Sequence, residues 1–193
     1  PHFLYNTLDA IAWLCEEGRN KDAEDMVTSL AKLFRISISK GHELITIEKE
    51  IQHAQSYLRI ETFRYKNQFT YTFDVDENCL GYLCNKITLQ PIIENAVIHG
   101  LGRGKIKNTE IKVKVWADEN LHIIVEDQGV GFDVEEWRQK PGKKEGHTNI
   151  GIHNVEEMIR MEYGENYGMW IESSPGAGTK VTYLLPVIRG IQK

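Results

Sequence analysis

Four short segments carry residue types suited to binding a phosphorylated ligand. In LQPIIENAVIHG (89–100), Glu94, Asn95 and His99 stand among apolar residues at helical spacing. Polar groups are costly there without a partner, and an amide oxygen such as that of Asn95 is a hard ligand suited to Mg²⁺. VEDQGVGF (125–132) ends an alternating apolar stretch with Asp127, which can accept a hydrogen bond from an exocyclic amine; Gly129 and Gly131 then let the backbone come close to a ligand. TNIGIHN (148–154) places Gly151 at a helix start, where free N–H groups and the positive dipole end suit a phosphate. SPGAGTKV (174–181) is a glycine turn, with Gly176 and Gly178, feeding a strand whose first residue, Thr179, presents a hydroxyl over the sheet. Each segment alone is weak, but the four in this order are not independent coincidences. A further polar residue stands apart: His2 heads the amphipathic stretch PHFLYNTLDA, one helical turn before Asn6, with nothing around it that resembles a metal site or a catalytic triad.

The elements that must position these residues fall into two groups. Leu4, Leu8, Ile11 and Cys15 form one helical stripe, and this helix should stop near Gly18. A second helical pattern runs through Ala23, Met26, Val27, Leu30, Leu33 and Phe34, with Gly41 as its stop. The resulting hairpin is too thin to bury both faces of its stripe and calls for a second copy of itself, so a homodimer is expected. Thr46, followed by Glu48 and Glu50, reads as a capped helix start, with Ile47, Ile51, Ala54 and Leu58 at core spacing and an end before Asn67.

From FTYTFDV (69–75) onward, strands alternate with helices: 111–117, 121–127, 169–173 and 179–187 have period two, and segments near 87–100 and 152–163 are helical. The short link DEN (118–120) implies a hairpin, hence a largely antiparallel sheet with helices on one face and a boundary near residues 64–68. The fold class expected is therefore α+β. The polar stretch 135–149 lacks an apolar period and reads as a functional lid.

The 193 residues carry a net charge of −5, which gives no basic footprint for nucleic acid or an anionic membrane as the main partner. Cys15, Cys79 and Cys84 form no CxxC pair and are expected to be buried thiols. No window approaches a membrane span. With no initiator Met and a start inside a helical pattern, the chain is expected to be a piece of a longer protein.

ENAVIHG, DQGVGF, NIGIHN and GAGT, in this order, resemble the N, G1 and G2 boxes and the closing turn of the Bergerat-type ATP-binding fold shared by gyrase, Hsp90, MutL-type ATPases and histidine kinases. With PHFLYNTL at the head, residues 1 to about 187 resemble the cytoplasmic core of a LytS/YesM-like sensor histidine kinase. The resemblance implies a dimerisation and phosphotransfer region over 1–66, forming a four-helix bundle in the dimer, and a catalytic ATP-binding domain over 67–193, an α/β sandwich with a mixed sheet. It makes His2 the phosphoacceptor, Asn95 the ligand of Mg²⁺ on the ATP phosphates, and Asp127 the reader of the adenine amine. Gly129 and Gly131 would lie beneath the nucleotide, Gly151 would carry phosphate-facing amides, and Thr179 would back Asp127 through a water. Residues 133–150 would form the ATP lid. Glu94 and His99 are candidates for phosphate contact or proton transfer, Asn6 for orienting the imidazole or a water, and Asn149, Asn154, Gly176 and Gly178 complete the nucleotide-binding set.

The expected partners are a second copy and the receiver domain of a response regulator, with upstream membrane and sensor segments in the full-length protein. Three positions depart from the wider pattern: Asn149 and Ile152 replace the first glycine and the leucine of a GxGL start, and Met158 stands where an arginine is expected. Two rivals stay open. One is an ATPase of the same fold, although Pro91 occupies the position of its catalytic glutamate; the other is a nucleotide-sensing scaffold without kinase activity.

Overall fold

The computed structural model describes residues 2–38, 44–100, 109–139 and 148–190, with the backbone alone described at 99, 139 and 148–154. Helices α1 (His2–Glu16) and α2 (Asn20–Ile38) form the N-terminal hairpin. Gly18, at φ +71°, ends α1: its N–H reaches the Cys15 carbonyl at 3.1 Å and the Arg19 N–H reaches that of Leu14 at 2.8 Å. The expected stripe on α1 needs correction. Thr7 and Leu14 are buried and Leu4 and Ile11 half-buried, whereas Leu8 and Cys15 are exposed. Residues 4, 7, 11 and 14 form the row that meets the rest of the chain, and a one-residue step turns 5, 8, 12 and 15 away from it by about 100°. On α2, Ala23, Met26, Leu30 and Leu33 are buried but Val27 is exposed. Cys79 and Cys84 are buried thiols and Cys15 is not.

Strand β1 (Leu44–Thr46) leads into α3 (Ile47–Arg64), where the Thr46 hydroxyl oxygen accepts the Lys49 N–H at 3.3 Å. This helix buries Ile47, Ile51, Ala54 and Leu58 and, with them, Glu50, His53, Tyr57 and Glu61. Next come β2 (Phe69–Val75), a 3₁₀ turn at Glu77–Cys79, and β3 (Tyr82–Asn85). The stretch expected as one helix over 87–100 is two pieces. Helix α4 (Gln90–Asn95), with Pro91 in its first turn, widens into a π-helical turn over Ala96–Gly100. Strands β4 (Thr109–Ala117) and β5 (Asn120–Asp127) make the expected hairpin, closed by the Asp118 N–H on the Asn120 carbonyl at 3.0 Å. Helices α5 (Val134–Gln139) and α6 (Thr148–Tyr163) precede β6 (Gly168–Ser173), β7 (Thr179–Pro186) and β8 (Ile188–Arg189).

The main sheet has the order β2-β4-β5-β7-β6; β2 runs parallel to β4 and every other neighbouring pair is antiparallel. Alternate residues Ile111, Val113, Val115, Leu121, Ile123, Val125, Val181, Tyr183 and Leu185 are buried, and α6 packs on β6 and β7 with α4 against it. Trp116 and Trp170 mark the opposite, exposed face. The architecture is the expected α+β sandwich with a mixed, largely antiparallel sheet. A second sheet, β1-β3-β8, was not anticipated; it fastens the segment before α3 to the far end of the chain.

Candidate functional site

Asp127 closes β5 and lies opposite Thr179, the first residue of β7, in the antiparallel register. Its carboxylate is 5% exposed and accepts the Gly129 N–H at 2.8 Å. Burial pushes Asp127 from 3.8 up to about 6, opposed by the N–H groups of Gly129 and Thr179. The glycines around it are demanded by backbone packing. A Cβ on Gly129 would collide with the Gly100 carbonyl, one on Gly178 with the Asp127 carbonyl, and one on Gly131 with the Ser174 carbonyl. Gly131, Gly176 and Gly178 also sit at positive φ. The Val130 N–H bonds the Gly100 carbonyl at 3.1 Å and the Gly176 N–H bonds that of Val130 at 2.6 Å, so three turns distant in sequence are stitched together.

Ser173 locks the same corner. Its hydroxyl donates to the Gly178 carbonyl at 2.8 Å, accepts the Phe132 N–H at 2.9 Å, and stands 3.1 Å from the Thr179 hydroxyl. A cleft of about 560 Å³ runs along Asp127, Ser173 and Thr179.

The π-helical turn ending at Gly100 brings α4 to this corner: a Cβ on Gly100 would stand 2.8 Å from an Asp127 carboxylate oxygen. Asn95 is 7% exposed and its amide makes no hydrogen bond among the described residues. A lone, hard amide oxygen suits Mg²⁺, which keeps waters and phosphate oxygens around it and needs no protein cage; among the described residues no cluster of acidic, histidine or cysteine ligands forms one.

Glu94, one step round the helix from Asn95, faces a different space. A cavity of about 510 Å³ is lined by His2, Asn6, Glu61, Arg64, Gln90 and Glu94 among others. Within it the Asn6 amide lies 2.9 Å from His2 Nδ1, and Gln90 donates to Glu94 at 2.8 Å. Gln90 Oε1 is buried with no well-formed hydrogen bond among the described residues. His53 Nε2 is 2.8 Å from the Ser37 hydroxyl, which spends its own proton on the Leu33 carbonyl, so the ring nitrogen donates. Burial holds this imidazole below its ordinary range, with the Gln90 amide acting the other way.

His2, Asn6 and Glu94 thus meet in one cavity, while Asp127, Gly129, Gly131, Gly178 and Thr179 belong to the corner at the ends of β5 and β7; Asn95 lies on α4, whose π-helical continuation reaches that corner at Gly100. Gly176 stands at the tip of the closing turn with open space around it. Gly151 falls within the first turn of α6. The side chains of His99, Asn149 and Asn154, and residues 140–147 of the expected lid, lie outside the described residues; the lid's first part is α5. Four residues were missed in the sequence. Gly100 was in plain view, directly after the helical motif; Ser173 and the Glu61–Arg64 pair carry no motif and become visible only through contacts between distant segments.

The model of the histidine kinase family matches residues 1–69, and that of the histidine kinase-, DNA gyrase B- and HSP90-like ATPases matches residues 85–189. Sensor histidine kinase YesM of Bacillus subtilis is 34% identical over 187 residues, covering 96% of this chain and 31% of YesM. Sensor protein LytS of Bacillus anthracis is 30% identical over 193 residues, 96% of this chain and 32% of LytS. The chain therefore spans about a third of the length of these relatives. Among solved structures, the histidine kinase domain of the blue-light activated kinase of Erythrobacter litoralis superposes with a TM-score of 0.56 at 13% identity, over 86% of this chain and 75% of that one. The catalytic domain of histidine kinase ThkA gives 0.58 at 15% identity, over 75% of this chain and 97% of that one.

Proposed function

Since the chain belongs to the histidine kinase-, DNA gyrase B- and HSP90-like ATPase family, in its sensor histidine kinase branch, we propose that it binds Mg-ATP and phosphorylates itself on His2. The phosphoryl group then passes to an aspartate on the receiver domain of a response regulator. The observation that supports this reading is the cavity His2 shares with Glu94 of α4, the helix that also bears the candidate metal ligand.

Asp127 accepts the adenine amine, and Thr179 supports it from the facing strand. Gly100, Gly129, Gly131 and Gly178 keep the floor of the pocket free of side chains, Gly176 shapes the closing turn, and Gly151 supplies phosphate-facing amides with Asn149 and Asn154 beside it. Asn95 would hold a Mg²⁺ ion, which would supply charge neutralisation at the phosphates, and His99, four residues on, is the further candidate for phosphate contact. Asn6 sets the imidazole. Its amide, 2.9 Å from Nδ1, fixes the plane of the ring so that a nitrogen lone pair is presented for attack, or it orients a water when the phosphoryl group is removed. The N–P bond forms as the bond between the γ-phosphorus and the oxygen bridging to ADP breaks, its electron pair leaves with ADP, and the ring releases its remaining proton to solvent. Glu94 is the carboxylate of this cavity nearest in sequence to the metal ligand and draws that proton outward.

The same reading makes residues 1–66 the dimerisation and phosphotransfer module and 67–193 the catalytic module. The full-length protein would hold both on the cytoplasmic side of a bacterial membrane through upstream segments. Among the described residues of this chain no helix is long and apolar enough to cross one.

The test is incubation of the full-length protein with radiolabelled ATP and Mg²⁺ beside His2→Gln and Asp127→Asn variants. Acid-labile, base-stable label that requires both residues is the expected result. ATP binding that depends on Asp127, without label, would leave a nucleotide-sensing scaffold as the better reading.

A further inference from the structure

The cavity around His2 has to accept a dianionic phosphoryl group, yet two carboxylates, Glu61 and Glu94, already line it. Arg64 is the one Lys or Arg side chain in its lining among the described residues.

Arg64 is held on the His2 side of the cavity by two contacts. Its guanidinium bonds Glu61 at 2.5 Å, with the glutamate side chain 3% exposed and the arginine 25% exposed. It also lies 5.9 Å over the ring of Phe3, the neighbour of His2, and that ring stacks on Tyr57 at 5.4 Å. Glu61 takes one of the guanidinium's five N–H donors, and among the described residues the fork makes no other hydrogen bond. The remaining donors of a planar fork suit phosphate oxygens far better than a point charge does.

We propose that Arg64, anchored by Glu61 and Phe3, is the cation that receives the phosphoryl group at His2 and stays paired with it on the phosphohistidine. This rests on the kinase reading for the origin of the phosphoryl group but not for the pairing itself. Arg64 acts on the bond-making end: it offsets charge on the γ-phosphoryl oxygens as the imidazole nitrogen replaces the ADP oxygen on phosphorus. Glu61 is a positioning residue; its carboxylate fixes the fork and touches no substrate.

The experiment uses the full-length protein and two phosphodonors, radiolabelled ATP with Mg²⁺ and phosphoramidate, which phosphorylates imidazole without the nucleotide site. Arg64→Gln, Arg64→Lys and the double variant Glu61→Gln/Arg64→Gln are compared with the parent, each checked for its unfolding temperature and ATP affinity. Arg64→Gln should slow His2 labelling by about 30-fold or more from both donors while ATP affinity stays unchanged, and Arg64→Lys should recover part of the rate. The double variant leaves no unpaired buried charge, so it decides the matter where Arg64→Gln does not fold. A folded double variant labelled within about threefold of the parent overturns the proposal. A parent that takes no label from ATP overturns the kinase reading instead, and the phosphoramidate rates then still decide whether Arg64 serves His2.

Discussion

The adenine-reading role proposed for Asp127 falls to a carboxylate held where its charge is penalised. Burial lifts its carboxyl from 3.8 to about 6, and only the ionised form accepts from an exocyclic amine without competing as a donor. ATP affinity should therefore be flat above pH 6 and fall roughly tenfold per unit below it, which titration calorimetry between pH 5 and 8 measures. The folding side has the opposite sign. A carboxyl whose folded pKa is raised contributes stability that is full below 3.8 and is lost as the pH climbs through about 6. Asp127→Asn should accordingly abolish ATP binding and yet raise the unfolding temperature at pH 8 more than at pH 5.5, since its amide oxygen can still accept the Gly129 N–H. A variant that is less stable than the parent at pH 8 would count against this account of the site.

At the scale of elements, the link that matters is between α3 and the start of α4. Glu50, 1% exposed, accepts the Leu89 N–H at 2.8 Å with one oxygen and the Ile87 N–H at 3.1 Å with the other. That grip holds Ile87 at φ +66°, a strained conformation for a β-branched residue. Desolvation drives Glu50 from 4.5 up to about 7 against those hydrogen bonds. Its contribution to stability is full below 4.5 and is lost as the pH climbs from there through about 7, so the unfolding free energy should still decline between pH 6 and 8.5, by about 1.4 kcal/mol from this group. In Glu50→Gln the decline should be shallower; urea melts at the two pH values read it, and equal slopes would remove Glu50 as the source. None of this was legible in the sequence, where Glu50 looked like a first-turn charge favouring the helix dipole. Long alternating runs such as 111–117 and 121–127 were legible because period two survives any tertiary context. The strands at 44–46, 82–85 and 188–189 were not, since two to four residues show no period and pair only with distant partners. The glycine turns announced the corner around Asp127, whereas Arg64 and Glu61 became a candidate site only when α4 folded back over α3.

For the molecule as a whole, the surface that calls for a partner is the outer face of the hairpin. Leu4, Thr7, Ile11 and Leu14 turn toward α2 and α3, which leaves Tyr5 at 66%, Leu8 at 47% and Trp13 at 49% exposed on one helix, with Ala12 and Cys15 completing the outward row. Val27 on α2 is 52% exposed. Four large apolar side chains left exposed on so short a hairpin favour association that covers them. A second copy offers the complementary surface by symmetry, because an isologous contact needs only one patch. Each such side chain is already about half covered and contributes about 1 kcal/mol when the rest is covered, so eight in the pair give ~8 kcal/mol, the scale of micromolar association. The parent should therefore run at twice its chain mass in light scattering at tens of micromolar. Leu8→Glu should run as a folded monomer with an unchanged ATP affinity, since position 8 faces away from both the His2 cavity and the Asp127 corner. A parent that stays monomeric, or a Leu8→Glu variant that stays dimeric, would move the contact off this face and with it the expectation of a four-helix bundle.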